Sequence, residues 1–131
     1  MNQSTCRGLH HVALNVTDLE ACLAFYTAMG LTPLRRWGEG AKAGAMLDAG
    51  NGCILEVFAD GDGAAPKSAV IGHFALDVAD TDAAFAAALA TGARPDMEPK
   101  DIVIPSQPSY PARIAFVVAP TGERVELFQV K

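Results

Sequence analysis

The feature that most constrains this chain is that it repeats itself. One shift of register carries His11 onto His73, Ala13 onto Ala75, Leu14 onto Leu76, Val16 onto Val78 and Asp18 onto Asp80. The same shift carries Ala21, Ala24, Ala28, Gly30 and Pro33 onto Ala83, Ala86, Ala90, Gly92 and Pro95. These identities run from His11 to Pro33 without a gap. A chain of this kind is built from two copies of one supersecondary unit, and self-similarity takes precedence over any local reading.

Each copy reads as strand, helix, then three strands. Val12, Leu14 and Val16 alternate with His11, Ala13 and Asn15, the period of a strand whose two faces differ. Thr17 or Asp18 then caps a helix, with Glu20 completing a capping box from Thr17 and Gly30 supplying a left-handed stop. The second copy repeats this with Phe74, Leu76 and Val78, a cap at Asp80 and a stop at Gly92. The helices are expected to lie on their sheets through Leu19, Leu23 and Phe25, and through Phe85 and Leu89. The runs "LTPLRRW", "AGAMLDAG" and "GCILEVFA" follow the first helix, and "ARPDME", "ARIAFVVAP" and "ERVELFQV" the second. "DAGNG" and "PTG" are turn signals between antiparallel neighbours. The expected class is α+β: two paired βαβββ modules, about 8–60 and 70–131, in a single domain over 1–131, forming a curved mixed sheet around a cleft.

The polar residues inside apolar runs say what the cleft holds. Glu56 sits among Ile54, Leu55, Val57 and Phe58, and Glu126 among Val125, Leu127 and Phe128. If Leu55, Val57, Val125 and Leu127 face the helices, alternation turns both carboxylates to the cleft. An isolated buried carboxylate costs several kcal/mol and needs a cation, a proton or a hydrogen-bond partner. His11 and His73 obey the same parity. Two imidazoles and two carboxylates suit a divalent transition metal such as Ni, Zn, Co, Mn or Fe, and suit Ca or Mg poorly. This makes the cleft a metal-binding one, with His11, Glu56, His73 and Glu126 as ligands. His10 is expected on the opposite side or at the strand's frayed start, and is not assigned as a ligand.

Composition narrows the partners. Half of the 131 residues are apolar and the net charge is −5. With no Lys/Arg cluster, neither nucleic acid nor an anionic membrane is an expected partner, and a small-molecule substrate is. No apolar run reaches the ~20 residues of a membrane span, and "MNQSTCRG" lacks the apolar core of a secretory signal, so a cytoplasmic location is expected. Cys6, Cys22 and Cys53 are odd in number and form no C-x-x-C pair, which indicates ordinary reduced thiols.

The segments "HHVALNVTDLEACLAFYTAMGLTPL", "LEVF", "GHFALDVAD" and "RIAFVVAPTGERVELFQ" resemble the vicinal oxygen chelate superfamily, which includes glyoxalases, bleomycin-resistance proteins and dioxygenases. The closing stretch looks most like metal-dependent glyoxalase I. The resemblance places one ligand on the first strand and one on the last strand of each module, which are His11, Glu56, His73 and Glu126. A Glu at the second position is similar to bacterial glyoxalase I, whereas methylmalonyl-CoA epimerases usually carry Gln there. The implied activity is that of a lyase or isomerase moving a proton on a small 2-oxo or acyl substrate through a metal-stabilised enediolate. Glu126 is the expected catalytic base and Glu56 its symmetric rival. The alternatives are an Fe(II) ring-cleaving dioxygenase using three of the four groups, and a non-catalytic binding protein of the bleomycin-resistance type. The metal is expected to be Ni, Zn or Co, with Mn or Fe as further candidates. A homodimer is expected, because small half-barrels leave sheet edges exposed.

The sequence also departs from its relatives. "VFADGDGAAP" after Glu56 is acidic and should repel the carboxylates of glutathione. Glu126 also lies eight residues later than the histidine shift would place it, the extra length falling in "DMEPKDIVIPSQPSYPAR". Pro99, Pro105, Pro108 and Pro111 there oppose a regular central strand and indicate an edge connection or a loop over the cleft mouth. Tyr110, Gln107 and Arg113 are its candidate substrate contacts, while Arg35, Arg36 and Trp37 read equally well as structural residues of the strand after the first helix.

Overall fold

The computed structural model describes residues 6–60, 70–120 and 122–131. The element order is β1 (Cys6–Val16), α1 (Leu19–Ala28), β2 (Thr32–Trp37), a 3-10 turn (Gly40–Lys42), β3 (Gly44–Gly50) and β4 (Cys53–Ala59), then β5 (Ile71–Val78), α2 (Thr81–Ala90), β6 (Arg94–Ile104), β7 (Tyr110–Val118) and β8 (Arg124–Val130). Two βαβββ modules are therefore present, and the fold class is α+β. The described residues cluster into two compact units, one of residues 11–60 and 70–72 with Pro105–Pro108, the other of residues 6–10, His73–Ile104, 109–120 and 122–131. No helix among the described residues is long and apolar enough to cross a membrane.

In the first unit the strands are ordered β2-β3-β4-β1, with β1 parallel to β4 and the others antiparallel. The mixed sheet follows from the connection: a helical crossover returns the chain in the same direction, whereas tight turns reverse it. The β3–β4 turn is one of these. Asn51 and Gly52 take φ of 55° and 77°, the left-handed pair that a two-residue hairpin turn requires. Leu19, Ala43 and Val57 form the buried core between α1 and the sheet, with Val16, Cys22, Leu23, Leu55 and Ala59 packed around them.

The second unit repeats the plan as β5-β8-β7-β6, with β5 parallel to β8. Val78, Ala84, Phe85, Ala115, Val117, Val125 and Leu127 form its core under α2, joined by Phe74 and Leu76. The apolar parity of β4, β5 and β8 is as expected: Leu55 and Val57, Phe74 and Leu76, and Val125 and Leu127 all go to the helix side.

Both helices start at the expected caps. Asp18 accepts from the Ala21 N–H at 3.0 Å and Asp80 from the Ala83 N–H at 3.1 Å. Glu20 does not close a capping box with Thr17; Arg36 of β2 takes its carboxylate and holds it below the usual carboxylate range. Phe25 is 57% exposed and Leu89 36%, so neither is a core contact. The alanine-rich helices lie on the sheet mainly through their first turns, at Leu19 and at Thr81, Ala84 and Phe85.

The proline-rich segment is largely strand. β6 continues to Ile104 and pairs with β7, its register slipping between Pro95 and Met97 and again between Met97 and Lys100. It is the outermost strand of its unit, where a proline costs no ladder bond. Only 105–109 form the connection, with a cis Gln107–Pro108 bond. Of the acidic "VFADGDGAAP", the part from residue 61 onward lies outside the described residues.

Two stability measurements follow. A Cβ at Gly44 would stand 2.5 Å from the indole of Trp37, which lies across Gly44 to meet Phe58 edge-on at 6.1 Å. Gly44→Ala is expected to lose about 1–3 kcal/mol by overpacking, read as a lowered Tm with red-shifted Trp37 emission; an unchanged Tm and spectrum would contradict this packing. Secondly, Arg113 bonds both oxygens of Asp82, at 2.7 and 3.1 Å, and holds that carboxyl below its usual range. A depressed folded value means that the pair stabilises the fold fully above the ordinary carboxylate range and less as pH falls through the folded value. Stabilities of wild type and Asp82→Asn should therefore converge on acidification below about pH 4. A difference independent of pH would rule the pair out as its source.

Candidate metal centre

Within each module, the first and last strands bring one histidine and one glutamate together. In the first unit Ala13 of β1 is the register partner of Glu56 on β4, and His11 stands two residues before it on the same face. Ala13 is short, so the carboxylate leans back over it, and His11 Nε2 lies 3.0 Å from Glu56 Oε1. Both side chains are at most 5% exposed. In the second unit Ala75 is the register partner of Glu126, His73 stands two residues before it, and His73 Nε2 lies 3.1 Å from Glu126 Oε1. The two half-sites thus share residue types, strands, register and contact distance. Phe116 meets the His73 ring edge-on at 5.1 Å, covering one side of the second pair with apolar surface.

The donors fit a transition metal. Each pair offers an imidazole nitrogen and a carboxylate oxygen about 3 Å apart, the separation expected of neighbouring donors near 90° on one ion with bonds of about 2.1 Å. Both carboxylates are buried beside an imidazole on otherwise apolar strands, surroundings in which a bound cation offsets the cost of burying the charge. His11, Glu56, His73 and Glu126 are, among the described residues, the His and Glu side chains that could hold a metal ion.

The other candidates separate by face. His10 is not at a frayed end: it is buried, stacked on Phe128 at 4.0 Å, with Nε2 2.6 Å from the Tyr110 hydroxyl. Tyr110 is thereby committed to a side-chain contact rather than to an open loop. Arg113 points to the helix side and is taken up by Asp82 and Asp101, so it is a structural residue. Gln107 is exposed in the 105–109 connection. Arg36 pairs with Glu20, and Trp37 covers the sheet beside Phe58. Sequence reasoning passed over Arg124, which has its guanidinium carbon 3.8 Å from the centroid of the Phe116 ring. Its signal was available: it lies two residues before Glu126 and so shares its face.

Comparison with known proteins agrees with this architecture. A model of the Glyoxalase/Bleomycin resistance protein/Dioxygenase superfamily matches residues 8–127. Among solved structures, methylmalonyl-CoA epimerase from Mycobacterium tuberculosis superposes with a TM-score of 0.72 at 21% identity, covering 98% of this chain and 91% of that one. A second methylmalonyl-CoA epimerase gives 0.75 at 20% identity over 99% of each chain. The Mn(II)-bound glyoxalase from Novosphingobium aromaticivorans gives 0.72 at 22% identity, over 96% of this chain and 40% of its own. At these identities the likeness is one of fold. No functionally curated protein matches the sequence. With a family match over nearly its whole length and the paired βαβββ modules of that fold, the chain belongs to the glyoxalase/bleomycin resistance protein/dioxygenase superfamily.

Proposed function

We propose that His11, Glu56, His73 and Glu126 jointly hold one divalent transition metal ion, and that the protein is a glyoxalase-like lyase or isomerase. It moves a proton on a small 2-oxo or acyl substrate. The observation that carries this reading is the duplicated His–Glu pair, buried in the same register on the first and last strands of each module. Duplication of a surface or packing detail would not keep two buried carboxylates, because each is unfavourable without a cationic partner.

A divalent ion held by these four residues would supply Lewis-acid polarisation of the substrate carbonyl and stabilisation of the charge that develops there. The chain's own residues do the rest. Glu126 takes the proton from the carbon beside the polarised carbonyl and returns it, to the neighbouring carbon in an isomerisation or to the other face of the same carbon in an epimerisation. Glu56 is its symmetric counterpart and takes the same role from the other module. His11 and His73 stay as fixed donors, each orienting the carboxylate beside it. Phe116 excludes water from one flank of His73, which strengthens the electrostatic contacts beside it.

The test is proton exchange. Protein loaded with Ni, Co, Zn or Mn is incubated in D2O with methylglyoxal–thiol adducts and with methylmalonyl thioesters, and deuterium at the carbon next to the carbonyl is followed by NMR. Exchange should require the metal and fall by about 10²–10⁴ in Glu126→Gln. Metal-independent exchange, exchange unaffected by both Glu126→Gln and Glu56→Gln, or no exchange alongside oxygen consumption with Fe(II) and a catechol would each sink the proposal.

A further inference from the structure

We infer that Arg124 is an anion subsite, holding a carboxylate at the far end of the substrate whose reacting carbon is served by Glu126. The inference rests on the metal reading above and adds the chemical class of what binds there. All of its observations lie within the second unit.

Arg124 opens β8 and shares a face with Glu126, two strand positions or about 7 Å away. Its side chain is fixed by two contacts. The guanidinium carbon lies 3.8 Å from the centroid of the Phe116 ring, and Nε donates to Asp96 Oδ2 at 2.7 Å. Phe116 is the register partner of Glu126 and its ring meets His73, so the guanidinium is anchored to the same aromatic side chain that flanks the His73–Glu126 pair. The two terminal nitrogens have no protein partner among the described residues, and the side chain is 42% exposed.

Arg113 shows how this chain uses an arginine purely as a fastener. It spends Nε and one terminal nitrogen on both oxygens of Asp82, and the other terminal nitrogen on Asp101. Arg124 instead spends Nε and one face of its guanidinium, and keeps the pair of terminal nitrogens whose parallel N–H bonds match a carboxylate. Other cations on this face lack that combination. Arg7 is bonded to Asp77. Lys100, in register with Ile114, is exposed on the outer strand and carries a flexible ammonium. In a chain of net charge −5, an anionic substrate needs a local cation of this kind to be attracted at all. The strand spacing fits an acyl or 2-oxo compound with its carboxylate roughly two to four carbons from the reacting centre.

The first module has Ile54 at the equivalent position, two residues before Glu56. The two half-sites therefore differ where the substrate's tail would lie, so the substrate binds in one orientation.

The test uses Co(II)-loaded protein and two probes with the same oxygen-chelating head, succinic monohydroxamate and its terminal amide. Binding is read from the visible absorption of Co(II). The acid should bind wild type about tenfold more tightly than the amide, as a charge-assisted bidentate contact would give. Arg124→Met should reduce the acid to the affinity of the amide while leaving amide binding unchanged, which also reports an intact fold; Arg124→Lys should restore part of the preference. Equal affinities in the wild type, or a preference for the acid that survives Arg124→Met, would overturn the subsite while leaving the metal reading standing. If neither probe perturbs the Co(II) spectrum, the metal reading fails and the subsite falls with it.

Discussion

A carboxylate taken out of water must be given a positive or proton-donating neighbour, and two of them set the terms on which this chain folds. Glu56 and Glu126 are each about 95% buried on strands that are otherwise apolar, at a cost of several kcal/mol apiece if left alone. Each finds an imidazole nitrogen 3.0 or 3.1 Å away on the neighbouring parallel strand. That contact demands three things of the sequence. The histidine must precede by two residues the position paired with the glutamate; the residue between them on that face must be small, as Ala13 and Ala75 are; and the helix must cover the other face. All three recur in both modules, which is why the internal repeat is strongest over the first strand and its helix.

The same constraint explains where the copies are free to differ. The second module is longer, yet the pairing of β5 with β8 matches that of β1 with β4. The added residues lengthen β6, the outermost strand of its unit, whose register slips absorb Pro95 and Pro99. An insertion placed there leaves Glu126 opposite Ala75. The faces that carry the half-sites have also diverged. The first unit lays Trp37 across Gly44 toward Phe58, and the second puts Phe116 beneath a guanidinium. The inner strands hold the chemistry constant, while the outer strands and strand ends are free to set what the site accepts.

Much of this was legible in the sequence, because period-two alternation and repetition report directly on which face a side chain takes. Parity in the sequence singles out His11, Glu56, His73 and Glu126; it leaves the first cap between Thr17 and Asp18, of which the structure uses Asp18, and marks Asp80 as the second. The errors occurred where the local signal is weak. Alanine-rich helices carry no sharp apolar stripe, so Phe25 and Leu89 read as core contacts, yet they are 57% and 36% exposed and belong to neither core cluster. Proline opposes a central strand but not an outer one, and a sequence does not say which strand is outermost, so β6 was cut short. Glu20 satisfied a capping-box pattern yet was captured by Arg36, a partner on the following strand that helix rules do not see. His10 reads from the sequence as lying on the side opposite His11 or at a frayed strand start, whereas Phe128 and Tyr110, distant in sequence, bury it. Substrate preference was the least legible feature. It depends on charges such as Arg124, whose meaning comes from how its nitrogens are used rather than from its presence.

The central claim is that two half-sites act as one metal site, and metal stoichiometry tests it most directly. Protein purified without chelators, or reloaded by dialysis, is assayed by elemental analysis as wild type, as His11→Ala and as His73→Ala. The account predicts one transition metal ion per chain, lost or greatly weakened in both variants, because neither His–Glu pair suffices alone. Two ions per chain, with each variant keeping one, would show that the modules bind separately. No metal in the wild type under any loading condition would mean that the imidazoles alone stabilise the buried carboxylates.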